Sequence, residues 1–250
     1  MKKTIFITGA TSGIGKATAE IFAKQGHRLI ICGRRKEVLD NLQIQLSNFT
    51  DVYSLVFDVR NQQEVQNAIN SLPEEWKNID VLVNNAGNAH GLEPISDANI
   101  SDWDAMMDGN VKGLLYVSQP IIKLMKANNS GHIVNISSVA ARQTYANGTV
   151  YCASKKAVDV ISEGMRLELT EFGIKVTNVQ PGAVETDFSK VRFKGDEERA
   201  ATVYAGYEPL IAEDIADAIS YCVNAPERVS IAEICIYPKA QAEPRTIHRK

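Results

Sequence analysis

The sequence predicts an α/β protein built on a doubly wound parallel sheet of about seven strands with helices on both faces. Strand-like and helix-like segments alternate from end to end, the arrangement of successive βαβ units. The strand segments are short continuous apolar runs such as Val81-Leu82-Val83, as expected where both faces of a sheet are covered. The first of them, Ile5-Phe6-Ile7, runs into a glycine-rich turn that opens a helix.

In chain order, strands are expected near 4–8, 28–32, 52–57, 80–84, 132–137, 174–180 and 233–237. Helices are expected near 13–25, 35–47, 62–72, 101–127, 150–172 and 213–224. Right-handed crossovers then wind the sheet in both directions, and a ligand crevice is expected at the carboxyl ends of the strands. No internal repeat, low-complexity segment or linker interrupts the pattern.

With 250 residues, 44% of them hydrophobic, the chain is expected to form a single domain, 1–250, around one sizeable core. A formal net charge of −3 gives no electrostatic case for nucleic acid or an anionic membrane. Cys32, Cys152, Cys222 and Cys235 lie far apart with no Cys-x-x-Cys pair or His cluster, so no metal site is expected. They read as buried or half-buried thiols of a reducing compartment. Met-Lys-Lys-Thr resembles the charged opening of a signal peptide, but the apolar run that follows is too short. No stretch approaches a membrane span, and a cytoplasmic protein is expected.

Thr8-Gly9-Ala10-Thr11-Ser12-Gly13-Ile14-Gly15 lies between an apolar strand and a helix-patterned stretch. Strand, glycine turn and helix N-terminus in that order make an anion site, because the first helical N–H groups are unpaired and the helix dipole favours negative charge. A second constellation lies far downstream. The strand His132-Ile133-Val134-Asn135-Ile136 delivers Ser138, and Tyr151 and Lys155 open the next helix. Their spacing of four places phenol and ammonium on one helical face, about 5–6 Å apart at Cβ. An adjacent ammonium favours phenolate and would lower the phenol pKa, making tyrosine a usable general acid/base.

Together these motifs resemble the short-chain dehydrogenase/reductase family along the whole chain, and the resemblance implies a Rossmann fold. It implies a catalytic set of Asn110, Ser138, Tyr151 and Lys155. The second strand ends in Gly33-Arg34-Arg35. An acid about 20 positions beyond the glycine turn would select NAD, whereas guanidinium groups match a 2′-phosphate, so NADP(H) is expected, with Lys36 adding charge nearby. The family pattern places Asp58 and Val59 beside the adenine and Asn85, Ala86 and Gly87 along the cofactor. Gly9, Thr11, Ser12, Gly13, Ile14 and Gly15 cradle it, with Tyr151 and Lys155 touching it, and Pro181, Gly182, Val184 and Thr186 meet its carboxamide and phosphates. In the family, the helix asparagine matched by Asn110 leaves its carbonyl free for a water that links the lysine to solvent.

The segment 187–212 is expected to carry specificity. With Gly91-Leu92-Glu93-Pro94 and Tyr207-Glu208-Pro209-Leu210 it resembles the subgroup of NADP-dependent 3-hydroxy acid dehydrogenases, which oxidise L-allo-threonine, serine and related acids. The substrate site is then expected to use Ser138, Tyr151 and a cation for the carboxylate, with Arg192 the first candidate and Arg142 the second. His90 stands where the subgroup more often has an aliphatic residue. Two alternatives stay open, namely a reductase of a 3-oxoacyl thioester or cyclic ketone, and a non-catalytic NADP(H)-sensing protein. The resemblance also implies a homotetramer paired through the helices near 101–127 and 150–172. The polar tail 238–250 is expected to lie on neighbouring subunits.

Overall fold

In the computed structural model, which describes residues 2–250, seven parallel strands form one sheet in the order β3-β2-β1-β4-β5-β6-β7. They are β1 Thr4–Ile7, β2 Arg28–Gly33, β3 Val52–Val56, β4 Val81–Asn84, β5 Gly131–Ile136, β6 Ile174–Pro181 and β7 Glu233–Ile236. The alternation of side chains along a strand sorts the apolar runs between the two faces. Phe6, Ile30, Leu82, Ile133 and Val176 point to one layer, where they meet Val65 of α3 (Gln62–Asn70), Val117 and Ile121 of α5 (Gly113–Ala127) and Val158 of α6 (Thr149–Leu169). Ile5, Ile7, Leu29, Ile31, Val83 and Val134 point to the other. There they pack on Phe22 of α1 (Gly13–Lys24), Leu39 of α2 (Lys36–Leu46) and Ile219 of α9 (Ala212–Asn224). Strand order reverses between β1 and β4, which opens the crevice at the carboxyl end of the sheet.

The helix expected over 101–127 is divided. The chain runs through α4 (Ile100–Met107), a π-helical turn (Asp108–Lys112) and then α5. Close packing accounts for the glycines here. A Cβ on Gly109 would stand 3.1 Å from Asn88 Nδ2, and one on Gly113 would stand 2.8 Å from Val59 Cγ2. The π turn directs Asn110 inward, where only 2% of it is exposed.

The segment after β6 is not a plain loop but contains α7 (Phe188–Arg192) and α8 (Glu197–Thr202). Cys32, Cys152 and Cys222 are buried as expected, but Cys235 is exposed, because β7 is an edge strand. The tail docks on its own chain. Gln241 is buried and pairs with Ile247 in an antiparallel bridge, and its Oε1 accepts from the Ala183 N–H at 2.9 Å. The Lys250 N–H donates to the Gly206 carbonyl at 2.8 Å. A polar tail without a core of its own is thus held by backbone groups of the segment it covers. Among the described residues, no helix is long and apolar enough to cross a membrane, and no cluster of His, Cys, Asp or Glu could hold a metal.

Candidate active site

A cleft of roughly 420 Å³ lies at the strand ends and is lined by every residue expected at the cofactor except Gly15. Gly15 serves it from behind. A Cβ there would fall 2.3 Å from the Gly9 carbonyl oxygen and 2.4 Å from Asn85 Nδ2, so the turn closes only around glycine. Gly9 and Gly13 have φ of +65° and +51°, in the left-handed region that glycine occupies without strain. The turn is tied to the end of β4, since Thr8 Oγ1 accepts from the N–H groups of Asn85 and Ala86 at 3.0 Å. Asn85 Nδ2 in turn donates to the Thr8 carbonyl at 2.9 Å.

At the end of β2, the Arg35 guanidinium donates to Thr11 Oγ1 at 2.8 Å and to Ser12 Oγ at 3.1 Å. Arg34 approaches Asp58 at 3.4 Å. Lys36, counted as added charge nearby, instead pairs with Asp40 at 2.6 Å and does not line the cleft. A third arginine, Arg60, grips Asp58 with Nε–Oδ1 of 3.1 Å and Nη2–Oδ2 of 2.6 Å. Partial burial works to raise the Asp58 carboxyl. The Arg60 hydrogen bonds, with the charges of Arg60 and Arg34, outweigh it and hold the group below its usual range. Arg60 lines the cleft, and its place two residues after Asp58 was the available signal for it. These cations and the glycine cradle fit a dinucleotide that carries an additional phosphate.

The strand end after β5 and the first two turns of α6 bring Ser138, Tyr151 and Lys155 to one wall of the cleft. Lys155 Nζ donates to the Ile136 carbonyl at 2.9 Å. Burial lowers the Lys155 ammonium to about 8, with Asp159 pulling the other way. Asn110 Oδ1 accepts from the Asn88 N–H at 2.7 Å, and Nδ2 donates to the Asn88 carbonyl at 2.8 Å and to Ser154 Oγ at 3.0 Å. Asn110 does not line the cleft itself. It joins the site through Gly87, whose Cβ would stand 3.0 Å from Asn110 Oδ1 and 3.3 Å from Lys155 Nζ. The π turn takes the backbone around Asn110 out of the regular i→i−4 ladder, which suits a carbonyl turned to another partner.

The phenol behaves differently from the expectation. Burial pushes Tyr151 up to about 12, and the groups that draw it down are the Arg192 guanidinium and the Ser138 hydroxyl rather than Lys155. Desolvation of the ring outweighs its charged neighbours. Arg192 lies over the Tyr151 ring, with Cζ 4.8 Å from the centroid, and over Phe188 at 5.2 Å. Arg142 is not at the site. It donates to Gln180 Oε1 at 2.9 Å and lies 3.7 Å from Glu233, because the short helical turn after Ser138 aims it along β6 toward the β7 edge. Tyr145, Phe188 and Asn88 reach the site without having been singled out in the sequence, since no local motif marks a residue brought in by loop packing.

The profile of the family described as short chain dehydrogenase matches residues 3–197. The NADP-dependent 3-hydroxy acid dehydrogenase YdfG of Salmonella typhi is 41% identical over 239 residues, 95% of this chain and 96% of that protein. The NADP-dependent 3-hydroxy acid dehydrogenase of Schizosaccharomyces pombe is 39% identical over 251 residues, 99% of this chain and 97% of that one. Among solved structures, the closed form of a serine dehydrogenase complexed with NADP+ superposes with a TM-score of 0.93 at 39% identity, covering 99% of this chain and 100% of its own. With the glycine turn, the serine, the tyrosine and the lysine gathered at one cleft, the chain belongs to the short-chain dehydrogenase family.

Proposed function

We propose that this protein interconverts a small 3-hydroxy acid, of the L-allo-threonine, serine or 3-hydroxypropionate type, with its 3-oxo acid, using NADP(H). Family membership makes it an oxidoreductase acting on alcohol groups. NADP, when bound, supplies or accepts the hydride. The residues do the rest. Arg34 and Arg35 hold the 2′-phosphate, the turn from Gly9 to Gly15 takes the pyrophosphate, and Asp58, with Val59 beside it, receives the adenine amine. Asn85, Ala86, Gly87, Pro181, Gly182, Val184 and Thr186 line the remaining length.

Tyr151 Oη gives its proton to the carbonyl oxygen in reduction and takes it back in oxidation, while the Ser138 hydroxyl donates to the oxygen as charge develops. Lys155 orients the cofactor and passes protons toward solvent through a water on the Asn110 carbonyl. Arg192 pairs with the substrate carboxylate. The observation that supports the reading is the guanidinium stacked on the Tyr151 ring, in the small hollow that adjoins the cleft at Tyr151, since a cation there gives a short acid the charge partner that its small apolar area cannot replace.

The test follows NADPH absorbance with L-serine, L-allo-threonine, 3-hydroxypropionate, malonic semialdehyde and a 3-oxoacyl thioester. Turnover with the acids and none with the thioester is expected. Thioester reduction alone would transfer the protein to the alternative substrate class, and NADPH binding without any turnover would make it a sensor. We further propose a cytoplasmic homotetramer, in which pairing covers Leu115 on α5 and Val160 and Leu167 on α6, now 41%, 60% and 80% exposed. Sedimentation at the monomer mass would reject the assembly.

A further inference from the structure

We infer that Arg192 is a positioning residue for proton transfer as well as a substrate anchor: the guanidinium stacked on the Tyr151 ring holds the phenolate form, and a substrate carboxylate that pairs with it releases that hold. The bound acid thereby sets the proton affinity of the group that serves it. The second half rests on the proposed anchoring of a carboxylate, and the first half does not.

The geometry is specific. Arg192 closes α7, and its carbonyl accepts from the Gly91 N–H at 2.9 Å, which fixes its backbone against the segment following β4. The guanidinium carbon is 4.8 Å from the Tyr151 centroid, Nη2 reaches Tyr145 Oη at 3.5 Å, and the buried Nε has no hydrogen-bond partner among the described residues. A guanidinium over an aromatic face is attracted by the ring, and the attraction grows when the ring becomes phenolate. An unpaired buried N–H also remains for an incoming acceptor.

Other charged and titratable groups around the phenol do not take this role. On its own helix, Cys152 carries no charge and Lys155 is engaged with the Ile136 carbonyl. Ser138 from the β5 end is a neutral hydroxyl, and Tyr145 from the loop before α6 accepts from Arg192 and works to raise the phenol. From the segment after β4, His90 is lowered by burial, Glu93 faces Arg199 at 3.5 Å and Asp102 faces Lys194 at 2.9 Å. Asp187 lines the cofactor side of the cleft. Among the causes that act on Tyr151, Arg192 is the largest that draws the phenol down against burial.

The experiment is a pH profile of alcohol oxidation with a 3-hydroxy acid and with its uncharged methyl ester, in the wild-type protein, Arg192→Leu and Arg192→Lys. Oxidation needs phenolate, so rates rise with pH through the phenol's apparent pKa. The profile of kcat/KM reports the free enzyme and that of kcat reports the substrate complex. With the ester, at each pH on the rising limb Arg192→Leu is expected to lower kcat/KM about tenfold, the equivalent of one pH unit, and Arg192→Lys by less. With the acid, the wild-type kcat limb is expected above its kcat/KM limb, and the two coincide in Arg192→Leu.

An unchanged ester limb in Arg192→Leu would overturn the inference. If KM for the acid alone rose in that case, the anchor would stand without it. A shifted ester limb with equal losses for acid and ester would keep the first half and reject the anchor. The wild-type protein suffices should the variant not fold, because coincident kcat limbs for acid and ester would overturn the coupling without any substitution.

Discussion

The two sides of the cleft are built on different principles. One side consists of turns that end strands β1, β2 and β4, tied to one another by side-chain-to-backbone bonds such as those between Thr8 and Asn85. The other side, where the substrate is proposed to bind, is assembled from distant segments held by ion pairs, Lys194 with the largely buried Asp102 and Arg199 with Glu93, and by the tail. Two walls tied by separate contacts can vary independently of one another. Loss on one side should therefore leave the other intact.

The largest break is expected at Tyr151, where the two sides meet. Tyr151→Phe keeps the ring that packs on Phe188, 5.7 Å away between centroids, and removes only the acid. A loss of about 10²–10⁴-fold in kcat is expected with NADPH affinity retained, measured by steady-state kinetics and by fluorescence titration of the nucleotide. Turnover near the wild-type rate would reject the mechanism.

Next comes a variant confined to the cofactor side, Arg34→Ala with Arg35→Ala. Both side chains border the cleft, and charge-assisted bonds to a phosphate contribute about 1.5–3 kcal/mol each when well formed. NADP affinity should fall by about 10²–10⁴-fold, while NAD affinity and the KM for substrate at saturating cofactor stay nearly constant. A wild-type preference for NAD would contradict the assignment. The size of the effect also depends on Asp58, which holds Arg34 at 3.4 Å and has Arg60 as a second partner.

The same division explains what the sequence disclosed. The alternation of strands and helices, the glycine turn and the positions of Arg34, Arg35, Ser138, Tyr151 and Lys155 along the cleft were legible because each is marked within a short stretch. Arg142 was misread for the opposite reason. Only the path of the backbone after Ser138 shows that its side chain leaves toward Gln180. The π turn at Asn110 was read as continuous helix, because its pattern of apolar residues differs from an α-helix by one position. Tyr145 and Phe188 carry no motif, and burial of Tyr151, which reverses the expected direction of its pKa, is a property of packing rather than of the Tyr-x-x-x-Lys spacing.

The smallest effect is expected from the tail, and it gives the sharpest test of the division. Arg249 donates to the Val203 carbonyl at 3.1 Å and to that of Ala205, and the Lys250 N–H meets Gly206. Arg245 lies over the Tyr145 ring at 5.6 Å, and Tyr145 is itself the hydroxyl partner of Arg192. Removing residues 245–250 therefore loosens α8 and the floor beneath Arg192 without touching β1, β2 or the glycine turn. Exposed hydrogen bonds of this kind contribute about 1 kcal/mol each, so the KM for substrate should rise about 3- to 10-fold with NADP affinity unchanged. Gln241 must be kept in that truncation, because its buried amide serves the Ala183 N–H beside the cofactor wall. Gln241→Leu should accordingly impair nucleotide binding as well, whereas the truncation should not. If the short truncation weakened NADP and spared the substrate, the tail would belong to the cofactor side and the proposed division would be wrong.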